Sequence, residues 1–206
     1  MAVMLDKNGL IASALMGILI LFSGGWEYLM LLLAFLGISV IATSYEGEEK
    51  KQLGIYEYER SWENVLSNGL LPTLLAFAGA FLGPMPFIAS VAAITSDKFA
   101  SELGVLEKKK PIYLLGLKEV PPGTSGAVSP LGTFMSFAGA LFIGVAAILI
   151  FGISPTSALL VGVVGFLGNV ADTIAGVFEE KGIGNKYTSN FICSLTGALL
   201  GMYLKF

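Results

Sequence analysis

Apolar stretches recur along the chain at about residues 9–22, 26–43, 66–82, 85–95, 132–151, 156–171 and 191–204. A run of ~20 such residues is what a helix needs to cross the hydrocarbon core of a bilayer. Of the side chains, 55% are hydrophobic and only 13% charged, against roughly a quarter charged in a soluble domain. The chain therefore reads as an integral membrane protein. The expected fold is all-α, a single polytopic helical bundle over residues 1–206 with six to seven transmembrane helices. The count depends on whether 85–95, the shortest run, crosses fully or forms a half-span or re-entrant helix. The start, MAVMLDKNG, lacks the basic region and small-residue cleavage site of a signal peptide, so the first helix is expected to be retained.

Long polar connections are expected at about 44–65, 97–128 and 178–190, and tight turns at Gly24-Gly25, Gly83-Pro84 and Gly152 to Ser154. With seven crossings, Lys7, Lys50, Lys51, Arg60, Lys98, Lys108, Lys109, Lys110, Lys118, Lys181 and Lys186 share one side and Lys205 alone faces the other. Positive residues stay inside, which puts the N-terminus and the long loops in the cytoplasm of a multi-pass cell-membrane protein. The crowding of polar residues on that face counts against a transporter, whose functional residues sit near the midplane of both halves. The triple lysine 108–110 is also read simply as a topology signal.

The chain has one cysteine, Cys193, and no histidine. That excludes an internal disulfide and a multi-cysteine metal site and removes the commonest general base. Chemistry must come from carboxylates, lysines, hydroxyls and amides. Asp172, in GNVADTIAG, is the carboxylate placed deepest in an apolar run, where an ionisable group is costly unless paired or metal-bound. Asn169, Asp172 and Thr173 fall three and four residues apart, which is one stripe of a helix. The alternative is an interhelical hydrogen-bonding cluster.

A second cluster is TSDKFASELG. Asp97 and Ser101 share a helical face, whereas Glu102 lies about 140° further round and joins them only if the helix has ended. An ordinary helix end capped by Asp97 is the alternative. Two carboxylates among hydroxyls suit a hard cation, Mg2+, which takes one or two carboxylates together with substrate phosphate oxygens. Arg60, Asn64 and Asn68 recur every fourth residue, with Lys50 and Lys51 upstream, and are candidates for phosphate contacts. Tyr45, Tyr56, Tyr58 and Trp62 read as an interfacial aromatic belt.

In KEVPPGTSGAVSP, Ser129-Pro130 reads as an N-cap followed by proline at the first helical position, fixing the start of the next helix. Glycine-rich backbone ahead of a helix N-terminus can cradle an anion. Pro122, Gly123, Thr124, Ser125, Gly126 and Ser129 are the candidates, with Lys118 adding charge; a tight interfacial turn is the other reading. Gly79/Gly83, Gly197/Gly201 and the Gly162, Gly165, Gly168 series read as close-packing surfaces. Asn190 and Ser194 continue the Gly197/Gly201 face into the bundle.

TSDKFASELG, KEVPPGTSGAVSPLGT, GNVADTIAG and IGNKYTSNFICSLTGALLG, in that order, resemble the integral-membrane phytyl-phosphate kinase family of chloroplasts, archaea and bacteria. The resemblance runs from LDKNGLIASALMG to the C-terminus. It implies transfer of the γ-phosphoryl group of a nucleoside triphosphate, commonly CTP, to a prenyl monophosphate such as geranylgeranyl or phytyl phosphate. Lys98 stands where the family usually has threonine. Phosphoryl transfer needs mainly positioning and charge neutralisation. The expected roles follow: Asp97 and Asp172 on metal or metal-bound water, the Pro122–Ser129 loop on the triphosphate, and Arg60 and Lys118 on the acceptor phosphate. Lys51, Asn64, Asn68, Ser101, Glu102, Asn169 and Asn190 complete the polar mouth. A cytidylyltransferase, a lipid or anion transporter and a non-catalytic scaffold are the competing readings. The bilayer is a partner, nucleic acid is not, and a homo-oligomer is left open.

Overall fold

The computed structural model describes residues 4–56 and 59–206. The chain is built of helices α1 (Lys7–Ser23), α2 (Trp26–Ser44), α3 (Gly47–Gln52), α4 (Trp62–Leu82), α5 (Met85–Leu103), α6 (Pro130–Phe151), α7 (Pro155–Glu179) and α8 (Lys186–Gly201). Strand β1 (Met4–Leu5) pairs in parallel with β2 (Glu59–Arg60). Between α5 and α6, β3 (Ile112–Tyr113), β4 (Lys118–Glu119) and β5 (Ala127–Val128) form a small antiparallel sheet in the order β4-β3-β5.

Four helices, α2, α4, α6 and α7, are long and apolar enough to cross a membrane. Their outward faces carry the large apolar side chains that a soluble protein would bury, Phe81 at 91% exposure and Leu149 at 84%. Helix α1 is apolar but only 17 residues long, and α8 has 16. Both α8 and the 19-residue α5 carry hydroxyls, amides and charges toward the protein.

The shortest apolar run becomes the centre of the bundle. Residues 85–95 are not a separate element; they begin a helix, Met85–Leu103, about 28 Å long at 1.5 Å per residue. Met85 to Ser96 are buried without interruption, and α2, α4, α6, α7 and α8 all pack around them. The helix continues through SDKFASEL to Leu103, so the connection expected from residue 97 starts only at Gly104. Likewise α7 runs to Glu179 and α8 starts at Lys186, shortening the connection expected over 178–190.

Small residues allow this close fit. A Cβ on Gly197 would lie 2.6 Å from the Ala89 carbonyl oxygen, and one on Gly201 would lie 2.7 Å from the Ala89 Cβ. On α7, Cβ atoms on Gly165 and Gly168 would strike Ala92, Ala140 and Ala93. Both glycine series are thus the packing surfaces expected of them. Gly83 is not: it meets nothing, and at φ +71° it ends α4 in a conformation that favours glycine. Away from the long loops the bundle closes over Tyr28, whose ring packs on Phe87 and Phe151 at centroid distances of 4.7 and 5.2 Å.

Candidate functional site

At the end bearing the long connections, α5, α6, α7, α8 and the 122–129 segment enclose a cavity of about 350 Å3. The α7 stripe expected from spacing is there: Asn169, Asp172 and Thr173 all line it. So do Asp97 and Ser101 from α5 and Asn190 from α8. Asn169 is also anchored below, its Nδ2 donating to Ser136 Oγ at 2.8 Å, with Ser96 Oγ 2.7 Å further along the same chain. That chain ties α5, α6 and α7 together beneath the cavity floor.

The carboxyls of Asp97 and Asp172 lie against each other across the α5–α7 contact. Lys98 and Lys186 place positive charge beside Asp97. Ser189 Oγ bonds the Lys186 carbonyl at 3.1 Å and also lies against the Asp172 carboxyl. Asp172 Oδ1 is buried with no hydrogen-bond partner among the described residues, and so is Glu179 Oε1, two turns along the same wall. Buried carboxylate oxygens are ordinarily satisfied, so this wall has acceptor capacity in reserve. Among the described residues no three acidic, cysteine or histidine side chains converge on a single ion point. A cation here would be held by the Asp97–Asp172 pair and complete its shell with ligand or water oxygens, the usual habit of magnesium.

Pro122, Gly123, Thr124, Ser125, Gly126 and Ser129 form a further part of the cavity wall. Ser129 is the N-cap expected, accepting from Gly132 N at 3.0 Å, with Pro130 at the first helical position. The anion cradle, however, is largely filled from within. Leu131 N donates to Glu107 Oε2, Ser125 N to Glu180 Oε1, Thr124 Oγ1 to the Pro121 carbonyl and Ser129 Oγ to the Gly104 carbonyl. A carboxylate already sits at the α6 N-terminus, where the helix dipole favours negative charge. Several of the segment's donors are thus already engaged, and among the described cavity-lining residues the cation is Lys186.

The wall is pinned to α7 through two glycines. A Cβ on Gly176 would lie 2.6 Å from Gly126 N, and Tyr113 Oη donates to the Val177 carbonyl at 3.1 Å. Gly176→Ala is expected to push the 122–129 segment off α7 and to destabilise by about 1–3 kcal/mol through overpacking. The check is a thermal melt in detergent alongside proteolysis of the 104–129 connection, which should accelerate.

Other sequence candidates lie elsewhere. Glu102 faces away from the cavity because α5 does not end before it; its Oε1 accepts from Thr43 Oγ1 at 2.8 Å and pairs with Lys98 at 3.1 Å, and its Oε2 pairs with Lys50 at 3.3 Å. Lys50 is the buried lysine of its pair, while Lys51 stays exposed beside Glu48 at 2.6 Å. Asn68 Nδ2 turns back to the Asn64 carbonyl at 2.9 Å, and neither asparagine reaches the cavity. Lys118 stands exposed on β4. The side chain of Arg60 and the whole of Tyr58 lie outside the described residues.

Sequence reasoning passed over Lys186, Ser189 and Glu179. The first two share the opening turn of α8 with Asn190, which Asn185 starts by accepting from Tyr187 N and Thr188 N at 3.0 and 3.1 Å. The three- and four-residue spacing of Lys186, Ser189 and Asn190 is the signal that could have joined them.

A polytopic helical bundle with a carboxylate-lined cavity at its loop end defines an integral membrane protein with a built polar site. The chain belongs to the family described as integral membrane protein DUF92, which it matches over residues 1–197. It is 38% identical over 205 residues to the uncharacterized membrane protein MJ0933 of Methanocaldococcus jannaschii, covering 97% of this chain and 85% of that one. It is 33% identical to the uncharacterized membrane protein sll0875 of Synechocystis, over 78% of this chain and 62% of the relative. With the chloroplastic protein VTE6 of Arabidopsis thaliana it shares 24% identity over 96% of this chain and 63% of the relative. No solved structure matches.

Proposed function

We propose that the chain is a membrane-embedded phosphotransferase that moves the γ-phosphoryl group of a nucleoside triphosphate, CTP by family resemblance, onto a prenyl monophosphate. The observation that carries the reading is the meeting of Asp97 and Asp172 in a cavity that also holds Lys186 and an orphaned carboxylate oxygen. The motif resemblance supplies the reaction, and the match to a chloroplastic relative over 96% of this chain is consistent with it.

An oxygen of the acceptor phosphate attacks the γ-phosphorus, the bond from that phosphorus to the β-bridging oxygen breaks, and the nucleoside diphosphate leaves with the electron pair. A prenyl monophosphate is already ionised, so no strong base is needed, which suits a cavity without histidine. Magnesium, held by Asp97 and Asp172, would neutralise phosphate charge. Lys186 attracts and orients the phosphates, and Asn190, Ser189, Ser125 and Thr173 border them with polar groups. Phe166 and Val170 extend the cavity wall along α7, and Val170 reaches the outer surface. The isoprenoid leaves the cavity by that side, because the Gly104–Gly132 contact closes the α5–α6 side. We place six to seven helices across the cell membrane, with the N-terminus and the cavity cytoplasmic, a reading that the one-sided lysine distribution supports.

Purified protein given Mg2+, geranylgeranyl monophosphate and CTP labelled at either the γ- or the α-phosphate tests this. Lipid carrying the γ-label is expected. Lipid carrying only the α-label makes the protein a cytidylyltransferase, and unlabelled lipid with every nucleotide and chain length sinks the phosphotransferase reading.

A further inference from the structure

The connection between α5 and α6 carries a surface that this chemistry does not use. Pro111 to Val120 is a hairpin, closed by Val120 N donating to the Pro111 carbonyl at 3.0 Å and by the β3–β4 pairing. Its tip turns through Gly116 at φ +91° and Leu117 at φ +50°. A leucine in that left-handed region carries a backbone cost that glycine would avoid. The side chain so displayed is not buried: Leu117 is 76% exposed and Leu115 50%.

Lysines flank this apolar tip. Lys108, Lys109 and Lys110 precede the hairpin and Lys118 follows the turn, all exposed. Two carboxylates border the four lysines: Glu107 is drawn away to the α6 N-terminus by Leu131 N, and Glu119 stands exposed beside Lys118 on β4, so the positive charge on the hairpin stays in excess. The hairpin is also tied to the start of a helix whose outer face is apolar. The sheet runs through β5 straight into α6, where Phe134, about 6 Å along the axis at 1.5 Å per residue, is 67% exposed on the bundle surface. A strand arm of four residues reaches roughly 13 Å, so the tip can return to the level at which α6 enters lipid.

We propose that the 111–120 hairpin is a membrane-surface anchor. Leu115 and Leu117 insert at the boundary of headgroups and acyl chains, and Lys108, Lys109, Lys110 and Lys118 contact the phosphates of anionic lipids. Apolar tips flanked by lysines bind such surfaces through both forces at once. Because β3 is bonded to β5 and Tyr113 to the Val177 carbonyl, the lipid contact also steadies the cavity wall.

Leu117→Cys, labelled with an environment-sensitive fluorophore, reports the contact, since Cys193 is fully buried. The protein is placed in nanodiscs of phosphatidylcholine alone or mixed with phosphatidylglycerol. Blue-shifted emission and quenching by interfacially spin-labelled lipid are expected in the anionic discs. Quenching should fall by roughly half or more when all four lysines become glutamine. Water-like, unquenched emission in anionic discs overturns the proposal. So does quenching indifferent to the lysine changes, or a blue shift that vanishes at one copy per disc, which would make the tip a contact between copies.

Discussion

Asp172→Asn is expected to lower γ-phosphoryl transfer by roughly a hundredfold or more, the scale on which one preorganised electrostatic contact acts, while the bundle melts no earlier than the wild type. Both halves follow from one geometry. Two carboxylates pressed together at the end of a bundle repel when both are charged, and Oδ1 of Asp172 has no donor among the described residues. Asparagine keeps the shape, removes the repulsion and supplies an N–H that Asp97 can accept. A site built for a ligand therefore gives up activity and keeps or gains stability. A purely structural aspartate would do the reverse. The assay is labelled-phosphate transfer to prenyl monophosphate together with a detergent melt of the same preparation. Wild-type turnover in the variant would remove Asp172 from the chemistry, and a collapsed melt with no turnover would make it an interhelical fastener. Asp97→Asn should behave in parallel, since the two groups form one pair.

What could be read in advance divides along physical lines. The Asn169, Asp172, Thr173 stripe was legible because a helix repeats every 3.6 residues, and the same rule separated Asp97 from Glu102. The Ser129-Pro130 cap was legible because capping is local. The status of α5 was not. A run of small and hydroxylated residues reads as a short apolar segment, whereas its burial on every side depends on five neighbouring helices. Nor could the occupancy of the glycine-rich donors be foreseen. Composition counts the N–H groups of residues 122–132, but only the fold shows that Glu107 and Glu180 already take Leu131 N and Ser125 N. Lys186 was missed for a related reason: it sits where a polar connection meets a helix, and nothing local says that this first turn faces Asp97.

The buried cation was equally hidden, and it supports the second large expectation. Lys50 lies two residues from the end of α3, in a stretch that reads as solvated charge, yet its side chain is 1% exposed. Its ammonium donates to the Ala42 and Thr43 carbonyls at 2.7 and 3.1 Å, the last turn of α2, where a helix favours positive charge. Glu102 answers it from α5 and at the same time pairs with Lys98, both carboxylate and Lys98 being 13% exposed. One carboxylate thus serves two cations and joins α2, α3 and α5 behind the cavity. Glu102→Ala is expected to cost about 3–5 kcal/mol, the usual loss when one member of a buried pair is removed, because it leaves two lysines close together without their shared counter-ion. Replacing Lys50 with methionine and Glu102 with leucine together should recover most of that stability, since apolar side chains of similar size substitute well for a buried pair. Detergent melts of the two single variants and the double variant measure the coupling. Additive losses would show that the ions do not act as a unit. Activity separates the roles further. Lys98 is held by Glu102 and sits beside Asp97, so the double variant, restored in stability but lacking that hold, should remain impaired in turnover if the clamp fixes charge around the carboxylate pair, and should regain full turnover if it serves the fold alone.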